Sequence, residues 1–409
     1  MSENIFYDVI VCGGGPGGST TAAFLSKKGH KVLLLDKEKF PRDKTCGDAI
    51  SGKSLKLLAE LGMEGAVEKA DHGEITGVFF SSPNGTEVRV PFGTKDEHIR
   101  KGYVCRRQVY DNLLFQNAKK HADVMEGMAV AGLLKDSDGK VCGVKAKGQD
   151  GKDYEFRGKM VIGADGVSST IAREIRGADI DPVHTCIAHR AYYSGVAGMK
   201  EAIEIHFVKS IMPGYFWIFP LENGLANVGI GMVMSDMKAK NIDLAKAMED
   251  IVATNPLFKE RFANAKKLTP IKAWSLPFGS KKRKVHANNV LLVGDAAGLV
   301  DPFSGEGVGN AMLSGKLAAE VASEAISAND MSEEFLARYE QRLWKAVEDE
   351  LATSYKMQKL GKHEFLLNFV VSKAARSEKA REAISGTFTN EDAKGEYASP
   401  LFYLKLLFA

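Results

Sequence analysis

Two hydrophobic periods alternate along the chain. Phe6 to Cys12 is a short, mostly apolar run that predicts a strand. A glycine cluster, Gly13 to Gly18, follows it. Ser19 to Lys28 then predicts an alanine-bearing helix closed by Gly29 at C′. Lys31 to Leu35 predicts a second apolar strand, ending at Asp36. The chain therefore opens on a βαβ unit. Glu38 to Ser51 reads as a polar loop and Leu55 to Leu61 as a helix.

Further along, short strands from Ile75 to Val90 turn at Pro83 to Gly85 and predict a hairpin. Val109 to His121 predicts a helix. Strands from Met125 to Val161 are broken by turns at Ser137-Asp138-Gly139 and Gln149-Asp150-Gly151. Cys186 to Val233 predicts antiparallel sheet: Ile203-Glu204-Ile205-His206-Phe207 alternates, and Asn223-Gly224 separates Phe216–Leu221 from Leu225–Val233. Val290 to Val293 predicts a buried strand, leading to a long helix that begins near Gly307. Glu333 to His363 predicts a charged helix. No internal repeat stands out.

The expected fold is α/β: a Rossmann-like nucleotide-binding domain, an inserted antiparallel β-sheet domain and a C-terminal helical region. The segments 1–74, 100–175 and 285–330 are expected in the first, 75–99 and 176–284 in the second, and 331–409 in the third.

Composition narrows the function classes. The chain has 409 residues, 44% hydrophobic and 26% charged, which excludes disordered and fibrous classes. A net charge of +3 gives no global signature of nucleic-acid binding. Its 5 cysteines are irregularly spaced, and its 9 histidines show no metal spacing, so no disulfide framework and no metal site are expected. No secretory pattern and no spanning apolar run of about 20 residues are seen, so a cytoplasmic protein is expected, with attachment to a membrane surface left open. The basic run Lys281-Lys282-Arg283-Lys284 reads as a solvated loop or as a contact for anionic lipid head groups. The apolar stretch Leu401 to Ala409 is expected to pack on the body or to lie in a membrane interface.

Three motifs carry chemistry. Gly13-Gly14-Gly15-Pro16-Gly17-Gly18 is a Gly-x-Gly-x-x-Gly between strand and helix, with Asp36 at the distance that suits a ribose hydroxyl. Gly13 permits the turn, Gly15 the approach of a pyrophosphate, and Gly18 close packing of helix on strand. Gly163-Ala164-Asp165-Gly166 and Gly294-Asp295-Ala296-Ala297-Gly298 each place a carboxylate at a strand's C-terminal end, where doubly wound sheets bind ligands. For Asp165 an ordinary Asp-Gly turn is the competing reading.

In order and spacing these motifs resemble the flavoprotein monooxygenase superfamily typified by p-hydroxybenzoate hydroxylase. The resemblance implies that the first motif holds the ADP part of FAD and that Asp295 meets the ribityl–pyrophosphate stretch. It implies that Asp165 serves FAD and a nicotinamide cofactor together, and that Arg107 opens a helix beside FAD. Within that superfamily, Lys44-Thr45-Cys46-Gly47-Asp48 resembles the flavin-side loop of geranylgeranyl reductases. Tyr215-Phe216-Trp217-Ile218-Phe219-Pro220 is similar to their Tyr-x-Trp-x-Phe-Pro strand, which lines a lipid cavity. Asp301 to Gly307 is similar to their loop leading into a helix that faces the flavin.

The resemblance implies a cofactor set of Gly13, Gly15, Pro16, Gly17, Gly18, Asp36, Lys37, Cys46, Gly47, Arg107, Asp165, Gly166, Gly294, Asp295, Gly305, Gly307 and Val308. It implies Tyr215, Trp217, Cys46 and Gly47 at the reaction centre, and Tyr215, Trp217, Phe219 and Pro220 against substrate. Some members of that family pair the loop cysteine with a late one. Here no cysteine follows Cys186, so Cys46 is expected as a free thiol, reactive only where Arg42 and Lys44 depress its pKa.

The implied function is saturation of C=C bonds in a polyprenyl lipid by reduced FAD. NADPH, NADH or a ferredoxin-like protein would be the electron donor; the oligomeric state is unreadable. The competing readings are an FAD-dependent monooxygenase or halogenase and a non-catalytic flavin-containing lipid binder. Flavin halogenases carry a related Trp-x-Trp-x-Ile-Pro strand, from which Tyr215 and Phe219 depart.

Overall fold

The computed structural model describes residues 5–92 and 101–389. Its first sheet is the doubly wound one. In spatial order it runs His286–Ala287, Val290–Leu292, Asp153–Gly163, Phe6–Cys12, Val32–Asp36 and Asp123–Glu126, with Met128–Lys135 and Val141–Gly148 extending it through Asp153–Gly163. The central pairings are parallel: Cys12 lies opposite Leu35 on one side and Gly163 on the other. Those three strand ends place the glycine cluster, Asp36 and the Asp165 turn side by side. Strand residues Val9 to Cys12, Leu33 to Leu35 and Met160 to Ile162 are buried, as both-face coverage by helices demands.

The second sheet is largely antiparallel. It runs Lys266–Lys267, Thr185–Ser194, Leu225–Val233, Tyr215–Pro220, Ile203–His206, Gly77–Ser81 and Glu87–Pro91, with Lys272–Pro277 also on Thr185–Ser194. The hairpin expected near Pro83 to Gly85 therefore joins this sheet, through a parallel pairing of Gly77–Ser81 with Ile203–His206. Its two faces feed different cores. Phe216, Ile218, Val228 and Ile230 pack with Met248, Ile251 and Phe258, whereas Trp217 and Phe219 pack with Tyr192, Ala188 and Ile75. Period-2 alternation along one strand thus divides structural from cavity-facing residues.

Most expected elements appear within two residues of their limits, the usual scatter of helix ends. The first helix differs more. It spans Pro16–Lys27, with Gly15 as N-cap and Pro16 at its first turn. Proline is pre-set for that position, and the two glycines after it are tolerated because tertiary contact decides there. The second helix, Gly52–Glu60, starts early because Ser51 caps it, accepting from Ser54 N. The helix Val308–Ala328 crosses the first one, and Glu333–Leu360 packs on it.

The basic run is not an open cationic loop. Lys281 pairs with Asp179 at 2.7 Å, Lys282 with Glu348 at 2.7 Å and Lys284 with Glu333 at 2.7 Å. Arg283 is buried, pairing with Asp179 at 2.9 Å and donating to Phe278 O at 2.7 Å. The run clasps the 179–181 turn and the helix Glu333–Leu360, so each of its charges already has a carboxylate. Leu401 to Ala409 and residues 93–100 lie outside the described residues. No described helix is long and apolar enough to cross a membrane.

Candidate active site

A cavity of about 1810 Å³ lies between the two sheets. Gly13, Gly15, Pro16, Gly17, Asp36 and Lys37 line one end of it. Gly13 has φ +109°, and a Cβ there would stand 2.3 Å from Ala164 O, so only glycine fits the turn. Gly18 does not line the cavity. A Cβ on it would stand 1.8 Å from Gly13 O, so its part is the close approach of helix to strand. Asp36 Oδ2 accepts from Gly14 N at 2.6 Å and Oδ1 from Glu38 N at 2.8 Å. Burial pushes its carboxyl upward against the pull of those two N–H groups.

Gly294 and Asp295 in a 3₁₀ turn, Gly305, and Gly307 and Val308 at the start of Val308–Ala328 line the same cavity from the opposite side. Gly307 is the N-cap without a side chain, and the N–H groups of Gly307 and Val308 have no protein partner among the described residues. Two helix N-termini therefore open on one space, a donor set that suits the anionic pyrophosphate of a dinucleotide. The glycine turn, the converging N-termini and the cavity fit FAD.

Asp165 and Gly166 also line the cavity, but the Asp165 carboxylate is turned to its own helix. One oxygen accepts from Ser169 Oγ and the other from Thr170 N at 2.7 Å. Its visible work is to cap Thr170–Arg176, the Asp-turn reading, and both oxygens are engaged. Arg107 opens the helix Arg107–Lys119 and grips Asp111 with Nε and Nη2 at 2.6 and 2.7 Å, while Arg42 reaches Asp111 at 2.6 Å. Burial alone would raise the Asp111 carboxyl, but the two guanidinium groups hold it below its ordinary range.

Cys46 and Gly47 line the cavity from the 42–48 loop. Cys46 is a free cysteine, but its thiol is not activated. Burial pushes its pKa up, and the opposing pull of Arg107 is too weak to reverse that. Lys44 does not activate it either. Burial brings the Lys44 amine down to about 7, and it sits 3.2 Å over the centre of the Trp274 ring. A Cβ on Gly47 would stand 2.9 Å from the Phe219 ring, so the loop and the aromatic strand touch.

Tyr215, Trp217 and Phe219 line the far part of the cavity, with ring centroids 6.0 and 6.1 Å apart in succession. Tyr215 donates to Ser304 O at 3.3 Å, which ties the strand to the 301–307 loop. Pro220 does not line the cavity: strand alternation turns it to the other face, with Phe216 and Ile218. The apolar lining continues through Ile75, Val78, Phe80, Ile203 and Ile205. Those residues carried only a strand signal; which face Ile203 and Ile205 present depends on their strand's pairing with Gly77–Ser81, 125 positions away at the Ser81–His206 contact.

Sequence reasoning also missed a buried polar cluster behind the loop. Asp48 is 0% exposed, and burial raises its carboxyl to about 6 while Arg190 pulls it down. It accepts from Tyr192 Oη at 2.8 Å and Asn227 Nδ2 at 2.7 Å. The Arg190 guanidinium stacks 4.0 Å over Tyr192 and donates to Asp43 at 2.9 Å. The available sequence signal was the Asp directly after Cys46-Gly47; in the structure it adopts φ +68°. Among the described residues no cluster of His, Cys, Asp or Glu is placed to hold a metal ion.

Comparison with known proteins agrees with this geometry. The FAD binding domain family matches residues 6–349. Digeranylgeranylglycerophospholipid reductase 1 of Methanococcoides burtonii is 35% identical over 353 residues, covering 85% of this chain and 82% of that protein. The digeranylgeranylglycerophospholipid reductase of Methanocaldococcus jannaschii is 36% identical over 350 residues, covering 84% and 83%. Among solved structures, a geranylgeranyl bacteriochlorophyll reductase-like protein of Thermoplasma acidophilum superposes with a TM-score of 0.81 at 26% identity, over 96% of this chain and 98% of that one. The flavin-dependent brominase Bmp2 superposes with a TM-score of 0.76 at 22% identity, over 99% and 98%, a likeness of fold.

Proposed function

Because the chain belongs to the FAD binding domain family and to the geranylgeranyl reductase family of FAD-dependent oxidoreductases, we propose that it saturates C=C bonds of a polyprenyl glycerophospholipid. The observation that carries this reading is one cavity that joins two helix N-termini to an aromatic, hydrocarbon-lined wall. A site for a polar small molecule would not need that wall.

FAD, when bound and reduced, supplies a hydride to one alkene carbon. The backbone N–H groups of the Gly15–Gly17 turn and of Gly307 and Val308 receive its phosphates and its developing negative charge. Asp36 would accept a ribose hydroxyl, with Lys37 beside it, and Arg107, Gly294 and Asp295 would hold the rest of the cofactor. Gly305 and the Cys46–Gly47 loop shape the space around its ring. Trp217 and Phe219 hold the prenyl chain and exclude water. The proton for the second alkene carbon comes from the Tyr215 hydroxyl or from water.

In this reading the segments 1–74, 100–175 and 285–330 form the cofactor domain, and 75–99 with 176–284 the lipid domain. The reducing partner is a nicotinamide nucleotide or a ferredoxin-like protein, and the lipid is met at a membrane surface. The test is anaerobic. The holoprotein is photoreduced, digeranylgeranylglyceryl phosphate in detergent is added, and flavin absorbance and lipid mass are followed together. Reoxidation with a gain of two hydrogens per flavin supports the reading. A flavin that stays reduced with prenyl lipids yet reacts with air through a transient oxygen adduct replaces it with an oxygenase.

A further inference from the structure

The chain has 3 tryptophans, and their indole nitrogens are treated differently. Those of Trp274 and Trp344 are buried without a hydrogen-bond partner among the described residues. That of Trp217 donates to Asn227 Oδ1 at 2.9 Å. The Trp217 ring lies across Gly229, its partner on the adjacent strand, where a Cβ would stand 2.1 Å from Cζ2. The ring is thus seated from below by a missing side chain and held at its edge by an amide.

Asn227 spends its other end on the 46–48 loop. Its Nδ2 donates to Cys46 O at 2.7 Å and to Asp48 Oδ2 at 2.7 Å. This orientation is set by its surroundings, because a flipped amide would face N–H against N–H and oxygen against oxygen. Asp48 is held in turn by Tyr192 Oη at 2.8 Å and by Arg107 N at 3.3 Å, and its carbonyl accepts from Cys105 N at 2.8 Å. Asn227 and Asp48 are both 0% exposed. An unmade bond in this set leaves a buried polar group unsatisfied, so the members keep or lose their arrangement together.

We propose that Asn227, anchored by Asp48, is a positioning residue that locks the Trp217 wall to the Cys46–Gly47 loop, so that a prenyl chain meets the reaction centre in one register. This rests on the prenyl-lipid reading. Only an amide serves: its oxygen takes the indole N–H, and its nitrogen satisfies two acceptors on the loop. A carboxylate would set a negative oxygen against Asp48 and the Cys46 carbonyl oxygen, and an aliphatic side chain would unpair all three partners.

The test uses the FAD-loaded protein, the variants Asn227→Leu and Trp217→Phe, and their combination. One readout does not depend on the lipid: the rate of iodoacetamide labelling at Cys46, resolved by peptide mass mapping. The other is the binding of digeranylgeranylglyceryl phosphate, with the distribution of partly reduced products. Each single variant is expected to retain FAD, to label Cys46 at least fivefold faster, to bind the lipid about two- to tenfold more weakly, and to broaden the product distribution. The double variant is expected to be no worse than Asn227→Leu alone, because both changes break one linkage.

Effects that multiply in the double variant overturn the proposal, as does an unchanged Cys46 rate with an unchanged product pattern. Should Asn227→Leu fail to fold, Trp217→Phe, which keeps an aromatic side chain but loses the indole N–H and part of the ring over Gly229, carries the same two readouts. If the wild-type protein handles no prenyl lipid while the variants still free Cys46, the lipid reading falls and the linkage stands.

Discussion

The two ends of the cavity are built from different materials. The dinucleotide end is made mostly of backbone, a glycine turn and helix N-termini, with the Asp36 carboxylate added as it accepts from Gly14 N. The hydrocarbon end is made of side chains, Trp217 and Phe219 with Val78 and Ile205, drawn from strands that meet only through sheet pairing, and Ile75 from a strand outside that sheet. A backbone site needs particular residues at short, rigid spacing and tolerates little else. A side-chain wall needs only apolar bulk on one face, which many sequences supply.

The largest expected effect breaks the backbone end. Gly13→Ala adds a Cβ where φ is +109° and Ala164 O is 2.3 Å away. FAD binding should weaken at least 100-fold, read from the visible flavin absorbance of the purified protein; a fully yellow variant would show that the turn is not needed.

Asp111→Asn comes next. It leaves Arg107 and Arg42 facing a buried neutral amide, since Asp111 is 0% exposed. Removing one partner of a buried charge set costs about 3–5 kcal/mol, so urea unfolding should shift by that amount and FAD affinity should fall with it. A shift under about 1 kcal/mol would mean that solvent already screens the cluster.

Trp217→Ala sharpens the contrast from the other side. It should cut kcat/KM for the prenyl lipid about 10- to 100-fold, in line with losing a large buried aromatic contact, and leave FAD content unchanged. Loss of FAD in this variant would erase the distinction between the two ends.

The Asp48 carboxyl, raised from 3.8 to about 6, gives a pH signature. In the window between those values the folded state holds the proton and the unfolded state does not, so stability should fall as pH rises from about 4 to 6. The change is of order 2 kcal/mol. Denaturant titrations of the wild type and Asp48→Asn across that window should diverge with this sign; parallel curves would remove the buried-carboxyl account. Smallest is Tyr215→Phe. A kcat drop of about 10-fold or more assigns the proton to the Tyr215 hydroxyl, and a change under about threefold assigns it to water.

How far the sequence could be read follows the same division. The motif that begins at Gly13, the strand end at Asp36, the Asp165 turn and the helix start at Gly307 are local patterns, and the structure brings residues of each to one cavity. The aromatic strand was legible as a strand with one apolar face, but Pro220 went to the wrong side because alternation was not carried to its last residue. Asp165 has two readings in the sequence; in the structure it lines the cavity while its oxygens accept from Ser169 Oγ and Thr170 N. Lys282 and Lys284 are exposed, as a solvated run requires, but the burial of Arg283 and the partners Asp179, Glu333 and Glu348 depend on contacts far along the chain or on a helix face. Tyr192 and Asn227 carry no local pattern, and Asp48 only its place after Cys46-Gly47. Their link spans 144 and 179 positions and exists only once the two sheets are packed.

The central claim is that cofactor and prenyl lipid share one cavity. It is tested most directly by a crystal structure of the FAD-loaded protein with digeranylgeranylglyceryl phosphate bound anaerobically in the oxidised state. The account predicts density for one prenyl chain along Tyr215, Trp217 and Phe219, with an alkene in van der Waals contact with the flavin ring, and FAD phosphates at the Gly15–Gly17 turn. A lipid seated elsewhere on the surface, or a flavin separated from that wall by protein, would contradict it.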